Sequence, residues 1–333
     1  MRILFFILWS CTSLLGQEMY KEVFKAMGSR FEVTVVAETE MMAKSTIAAA
    51  QAEIDRIEDL ISSWDPKSQT SAINLNAGKE AVAVDEELFQ LIKRSIGISQ
   101  VTQGAFDITY ASMDRLWLFD GSMTSLPSEE DIAGSVARIG WEKVVLDPKS
   151  RTVYLSEEGM KMGFGGIGKG YAAEKALEVL RSKGVSSAIV NAGGDLSAFG
   201  QQANGQPWRI GLTDPKSKND VLAWIDINDQ AVVTSGDYER YVEFNGARYA
   251  HILDPRTGWP TTGIKSVTVI ASSAEMADAL ATSVFVLGIE NGLYLINQLP
   301  KIECVIIDDF DQVLTSETLE LNLVKPKNYE ADQ

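Results

Sequence analysis

Histidine occurs once in this 333-residue chain, at His251, inside the segment Tyr249-Ala-His-Ile-Leu-Asp-Pro-Arg-Thr-Gly258. Imidazole changes charge near neutral pH and is the commonest general acid or base. The bland alternative is a strand-edge histidine bonded to backbone. A second chemical segment is Gly163-Phe-Gly-Gly-Ile-Gly-Lys-Gly170. Its glycines let the backbone approach a ligand, N–H groups opening the next helix favour an anion, and Lys169 can neutralise phosphate. Gly163, Gly165 and Gly168 satisfy the dinucleotide pattern G-x-G-x-x-G, and Gly163, Gly168 and Lys169 approach a P-loop. Neither context fits. Gly170 replaces the P-loop Ser/Thr, and the acidic residue due about 20 positions after the fingerprint is missing. Asp195 comes later, at the end of a second glycine turn, Asn191-Ala-Gly-Gly-Asp195, that could line the same cleft.

The third chemical element is Asp278 with Thr282. Ser272-Ser-Ala-Glu275 is a capping-box match that starts a helix. Residues 278 and 282 then share one face of it. A carboxylate with a hydroxyl is a hard-oxygen set, suited to Mg²⁺ rather than zinc. Two ligands are too few alone; backbone carbonyls, water and substrate phosphates would complete the shell. Such a pair is more often merely solvated or capping. Here Ala277, Ala279, Leu280, Ala281, Val284 and Phe285 make the helix apolar. A buried carboxylate without a partner is costly, and a cation would supply one.

The elements that must hold these residues follow from periodicity. A strand pair is expected over 23–37 around Met27-Gly-Ser29. Amphipathic helices are expected over 42–62 and 85–102. Strands are read at 186–191, 223–227, 231–234, 267–271 and 304–307, and a hairpin pairs 238–244 with 247–252. Helices fall at 171–183, 274–286 and 289–298. This imperfect alternation favours an α+β fold over a doubly wound sheet: one compact layered unit, with a mixed or antiparallel sheet and packed helices. No repeat or linker divides residues 17–333.

The composition is that of a globular protein, 45% hydrophobic and 23% charged, with a formal net charge of −16. That surface argues against nucleic acid and anionic lipid as partners, so an anionic ligand needs local cationic help. Residues 1–16 combine one positive charge, a short apolar run and small residues, the pattern of a cleaved export signal. Cys11 follows a poor lipobox, so a lipid anchor is the lesser alternative. With Cys11 removed, Cys304 stands alone in an apolar run and reads as a core thiol. No later stretch is read as long enough to span a bilayer.

Taken together, these segments resemble the ApbE-type FAD:protein FMN transferases. The resemblance runs in order through Met27-Gly-Ser29, Ile61-Ser-Ser-Trp-Asp-Pro66 with Ser68 and Asn74, and Gly104-Ala-Phe-Asp107. It continues through Gly165-Gly-Ile-Gly-Lys-Gly-Tyr-Ala172, Gly193-Gly-Asp195 and Thr234-Ser-Gly-Asp-Tyr238. It ends with His251–Gly258 and Asp278-Ala-Leu-Ala-Thr282. Eight motifs in order are far more specific than any one of them. The resemblance implies a T-fold-like α+β unit that binds FAD and Mg²⁺. A Ser/Thr hydroxyl of a target protein attacks the FMN phosphorus, AMP leaves, and FMN stays attached through a phosphoester. It implies metal ligands at Asp278, Thr282 and the carbonyls of Gly166 and Ala281. It implies FAD contacts at Met27, Trp64, Ala105, Phe106, Asp107, Gly163, Lys169 and Ile252. His251 would be the base for the hydroxyl or a phosphate contact. Trp64 could face the isoalloxazine or simply pack in the core.

Gly163 stands where many relatives carry an FAD-contacting Asp, which leaves part of the nucleotide recognition open. The implied acceptors are flavinylated subunits of sodium-pumping NADH:quinone oxidoreductase or Rnf-type complexes, or other exported flavoproteins. The implied location is the periplasm or the periplasmic face of the inner membrane. Two rivals stand beside it: an FAD pyrophosphatase, the same site with water as nucleophile, and a non-catalytic flavin-binding protein, which would keep Trp64 and the glycine loop but would not need Asp278, Thr282 or His251.

Overall fold

A computed structural model describes residues 17–113, 116–215, 217–237, 241–244, 246–321 and 323. The expected export signal with Cys11, and Tyr238 of the Thr234–Tyr238 motif, lie outside the described residues.

The chain opens on β1 (Glu18–Ala26) and β2 (Ser29–Ala37), an antiparallel hairpin whose register closes at Ala26 opposite Ser29. Its two turn residues, Met27 and Gly28, both have positive φ, 49° and 67°. Two-residue turns of that hand match the right-handed twist of the flanking strands. Helix α1 (Glu40–Ile61) follows, capped by the Thr39 side chain accepting from Met42 N–H. Ala43, Ile47, Ala50, Ile54 and Ile57 bury one face of it, as their spacing predicts. A short α2 (Gln69–Leu75), β3 (Val82–Ala83) and α3 (Glu86–Val101) come next. Then come α4 (Glu129–Val136), β4 (Val144–Asp147) and β5 (Thr152–Leu155).

The second half supplies most of the sheet. Helix α5 (Gly168–Ser182) leads to β6 (Ala188–Ala192) and β7 (Asp195–Phe199). A ribbon of β8 (Trp208–Asp214) and β9 (Ser217–Ile227) precedes β10 (Gln230–Gly236). A small hairpin, β11 (Tyr241–Phe244) with β12 (Ala247–Ala250), comes before β13 (Ile264–Ala271). Helix α6 (Ala274–Gln298), β14 (Glu303–Asp308) and β15 (Val313–Thr315) complete the order.

Eight strands form one sheet in the order β1-β2-β6-β7-β10-β13-β14-β15, with every neighbouring pair antiparallel. Alternation along the strands sorts side chains to its two faces. Val33, Val190, Val233 and Val269 pack against α1, α5 and α6. Val36, Val232 and Ile270 turn the other way, onto Trp208, Ile210 and Ile227 of the β8–β9 ribbon. The α+β architecture read from the sequence is the one observed.

Two local readings change. The three-stranded sheet β3-β5-β4 was not expected, because strands of two to four residues carry too little period to register. The two helices expected at 274–286 and 289–298 are observed as the two parts of α6 on either side of Gly288, whose φ of 81° and ψ of 175° are non-helical. That element is also long and apolar enough by composition to cross a membrane, contrary to expectation. Its packing against β10 and β13 makes it a core helix. Cys304 is the buried core thiol expected, its pKa pushed up to about 12 by burial.

Candidate active site

One cleft of about 1170 Å³ gathers most of the predicted residues: Met27, Trp64, Ala105, Phe106, Asp107, Gly163, Gly166, Lys169, His251, Ile252 and Thr282 all line it. Gly193 of the second glycine turn lines it too. Asp278 and Ala281 lie just behind the wall, 4% and 0% exposed.

The floor is built where α5 and α6 meet. A Cβ on Gly170 would collide with the Ala274 carbonyl, so glycine alone permits the helices to approach this closely. The same residue donates its N–H to Asp278 Oδ2 at 3.0 Å. Burial pushes the Asp278 carboxyl above its ordinary range, while the Lys169 charge and the Gly170 N–H pull the other way. One turn on, Thr282 Oγ1 lies 3.1 Å from where a Cβ on Gly166 would stand, which puts the hydroxyl against the glycine loop. Ser273 caps α6, accepting from Met276 N–H at 3.2 Å. Arg94 grips Glu275 through two hydrogen bonds of 2.7 and 2.9 Å, bracing the turn before Asp278. Among the described residues, no cluster of three or more His, Cys, Asp or Glu side chains could hold a metal. One buried carboxylate, one hydroxyl and loop backbone therefore fit a hard, oxygen-seeking, partly hydrated ion such as Mg²⁺, and do not fit zinc.

Lys169 reaches the cleft from the first turn of α5 and pairs with Asp195, which is 1% exposed. The second glycine turn serves this pair. Gly193 has φ 67°, and a Cβ there would press on Ser29 at 3.0 Å. Met27, on the hairpin turn, is fixed by its N–H donating to Glu58 Oε2 at 2.7 Å. Asn74 pins the extended segment entering the loop: it donates to Met162 O at 3.0 Å and accepts from Met162 N–H at 2.8 Å.

Asp107, an FAD contact by resemblance, lines the cleft while its carboxylate is engaged internally. Its carboxylate accepts from Thr109 N–H and Oγ1 at 2.8 and 2.7 Å and from Trp141 N–H at 2.8 Å. The carboxylate is thereby an internal pin, and the backbone of 105–107 is what it holds against the cleft. Trp64 is 76% exposed at the cleft wall, which overturns the core-packing alternative.

His251 follows β12 directly and stands on the cleft wall. The turn after it is tightly tied. Thr261 N–H donates to Ile252 O at 2.9 Å, Gly258 N–H to Asp254 O at 2.7 Å, and Arg256 clasps Asp254 with two bonds of 2.8 Å. Gly258 has φ 74° beneath Ile132 and Val136, and its carbonyl accepts from Trp117 Nε1 at 3.0 Å. An aromatic cluster of Trp117, Phe119, Tyr249 and Trp259 backs this turn, with the Phe119 ring edge-on to His251 at 6.4 Å between centroids.

Several lining residues escape sequence reasoning, among them Glu58, on the helix face below Met27, and Tyr110, opposite the glycine loop. Neither lies in a glycine-rich or charged motif. Only the tertiary contact singles them out.

The sequence pattern of the ApbE family matches residues 27–306. The chain belongs to the ApbE family. Among similar family members, a Klebsiella pneumoniae (strain 342) protein named FAD:protein FMN transferase is 35% identical over 265 residues. That match spans 79% of this chain and 82% of the relative. A Vibrio cholerae protein of the same name is 30% identical over 293 residues, 85% and 86% of the two chains. The fold agrees as well. The crystal structure of the ApbE protein of Thermotoga maritima superposes with a TM-score of 0.84 at 35% identity, covering 90% of this chain and 98% of that one. The ApbE flavin transferase of Vibrio cholerae superposes with a TM-score of 0.81 at 26% identity, with the same coverage.

Proposed function

We propose that this chain is an exported, Mg²⁺-dependent FAD:protein FMN transferase. The observation that carries the reading is the convergence of His251, Lys169 and the Asp278–Thr282 pair on one cleft, in a chain whose relatives bear that name. A flavin-binding protein would have no use for a buried carboxylate beside a hydroxyl, with a histidine lining the same cleft.

In this reading the cleft takes FAD with its diphosphate at the α5–α6 floor. Asp278, Thr282 and the carbonyls of Gly166 and Ala281 would hold Mg²⁺, which neutralises charge on the diphosphate when bound. Lys169 adds a fixed positive charge there, and Asp195 holds it in place. Trp64 offers an aromatic face at the cleft wall for the isoalloxazine. The acceptor Ser/Thr oxygen forms a bond to the FMN phosphorus, the bond from that phosphorus to the AMP oxygen breaks, and AMP leaves. His251 takes the hydroxyl proton or contacts the phosphate. The acceptor would be a flavinylated subunit of a sodium-pumping or Rnf-type electron-transfer complex, or another exported flavoprotein.

AMP release from FAD, followed with and without an acceptor protein, tests this. Release that depends on acceptor and stops on chelation is the expected result. Equal release without acceptor would make the chain an FAD pyrophosphatase. FAD bound but never cleaved would make it a carrier.

A further inference from the structure

Two of the loop glycines open onto the same neighbour. A Cβ on Gly165 would collide with the Tyr110 hydroxyl, and one on Gly163 would lie 3.5 Å from it and 3.3 Å from Ala111 Cβ. The phenol therefore occupies the ground that loop side chains would otherwise take, and it lines the cleft. It is held there from both directions. Tyr110 N–H donates to Asp107 O at 3.1 Å, and Gly163 N–H donates to Ile108 O at 2.8 Å. Asp107 is itself pinned through Thr109 and Trp141. The Gly165 backbone N–H is directed at the phenol oxygen. A phenol carries its proton near neutral pH and so can donate a hydrogen bond.

A rigid neutral donor facing a glycine loop suits an anionic oxygen. We propose that Tyr110 contacts substrate, its hydroxyl donating to a diphosphate oxygen of FAD at the glycine-loop end of the cleft. The inference rests on the reading of the cleft as an FAD site.

Flavin fluorescence with Mg²⁺ present gives dissociation constants for FAD and for riboflavin, which lacks phosphate. Tyr110→Phe removes one oxygen and keeps the ring. A lost hydrogen bond to a charged group corresponds to about tenfold in affinity. The expected result is FAD binding weakened about tenfold, with riboflavin unchanged within about twofold. Gly165→Ala displaces the hydroxyl while keeping the phenol, and should give the same phosphate-selective loss if the Phe variant folds poorly. Unchanged FAD binding in both variants, or equal losses for FAD and riboflavin, would overturn the role of Tyr110. Wild-type protein that binds no FAD would instead overturn the reading of the cleft on which the role depends.

Discussion

The two walls of the cleft are built on opposite plans. The floor sets Asp278 and Asp195 almost wholly out of solvent, 4% and 1% exposed, on helices and strands of the main core. Its spacing is fixed by backbone contact at Gly170 and by the Arg94–Glu275 brace. Elsewhere the cleft is lined by a half-buried His251, on a turn between a four-residue strand and a satellite aromatic cluster, and by a Trp64 that is 76% exposed. Buried charges need fixed partners, because an uncompensated one costs several kcal/mol. A wall that meets a partly exposed ligand or a second macromolecule needs reach more than rigidity. In the proposed function, charge is handled at the floor, and the flavin ring and the acceptor are met at the rim.

Substitutions can break that division, and the largest effect should come from the floor. Asp278→Ala should lower turnover at least about a thousandfold, the rate equivalent of some 4 kcal/mol. Steady-state AMP release checks it, and full activity of that variant in the presence of a chelator would end the metal role. On the rim, His251→Ala should cost about a hundredfold in kcat while FAD affinity stays unchanged. Kinetics paired with equilibrium FAD binding separates the two. Gly170→Ala forces a methyl into the Ala274 carbonyl and should cost about 2 kcal/mol of folding stability, as overpacked sites do. Denaturant unfolding reads that loss directly. The smallest effect belongs to the exposed rim. Trp64→Ala should raise KM for FAD about fivefold with kcat nearly unchanged, because aromatic stacking contributes about 1 kcal/mol. A kcat loss larger than the KM change would move Trp64 from binding into catalysis.

Much of this was legible in the sequence, for reasons that differ by region. Helix α1 announced itself through apolar residues at helical spacing, and the β1–β2 hairpin through Met27-Gly28 between two strand-like runs. The glycine loop, Lys169, His251 and the Asp278–Thr282 pair could be found because their types are informative where they stand. Their meeting in one cleft could not be read from spacing, since residues 27, 107, 169, 251 and 278 come from five separate elements or turns. Asp107 shows the limit of reading by type: only hydrogen bonds to Thr109 and Trp141 reveal its carboxylate as a pin. Tyr110 shows the converse. An unremarkable tyrosine gains importance because two glycines 53 and 55 residues later leave room for its hydroxyl. The break in α6 was legible as well, because two apolar helical runs flank Gly288.

The most direct test of the central claim is the intact mass of an acceptor protein bearing a suitable Ser/Thr, after incubation with this chain, FAD and Mg²⁺. The account predicts a gain of one FMN on the acceptor, absent when the metal is chelated and absent with Asp278→Ala. An acceptor of unchanged mass while FAD is cleaved to free FMN and AMP would contradict it.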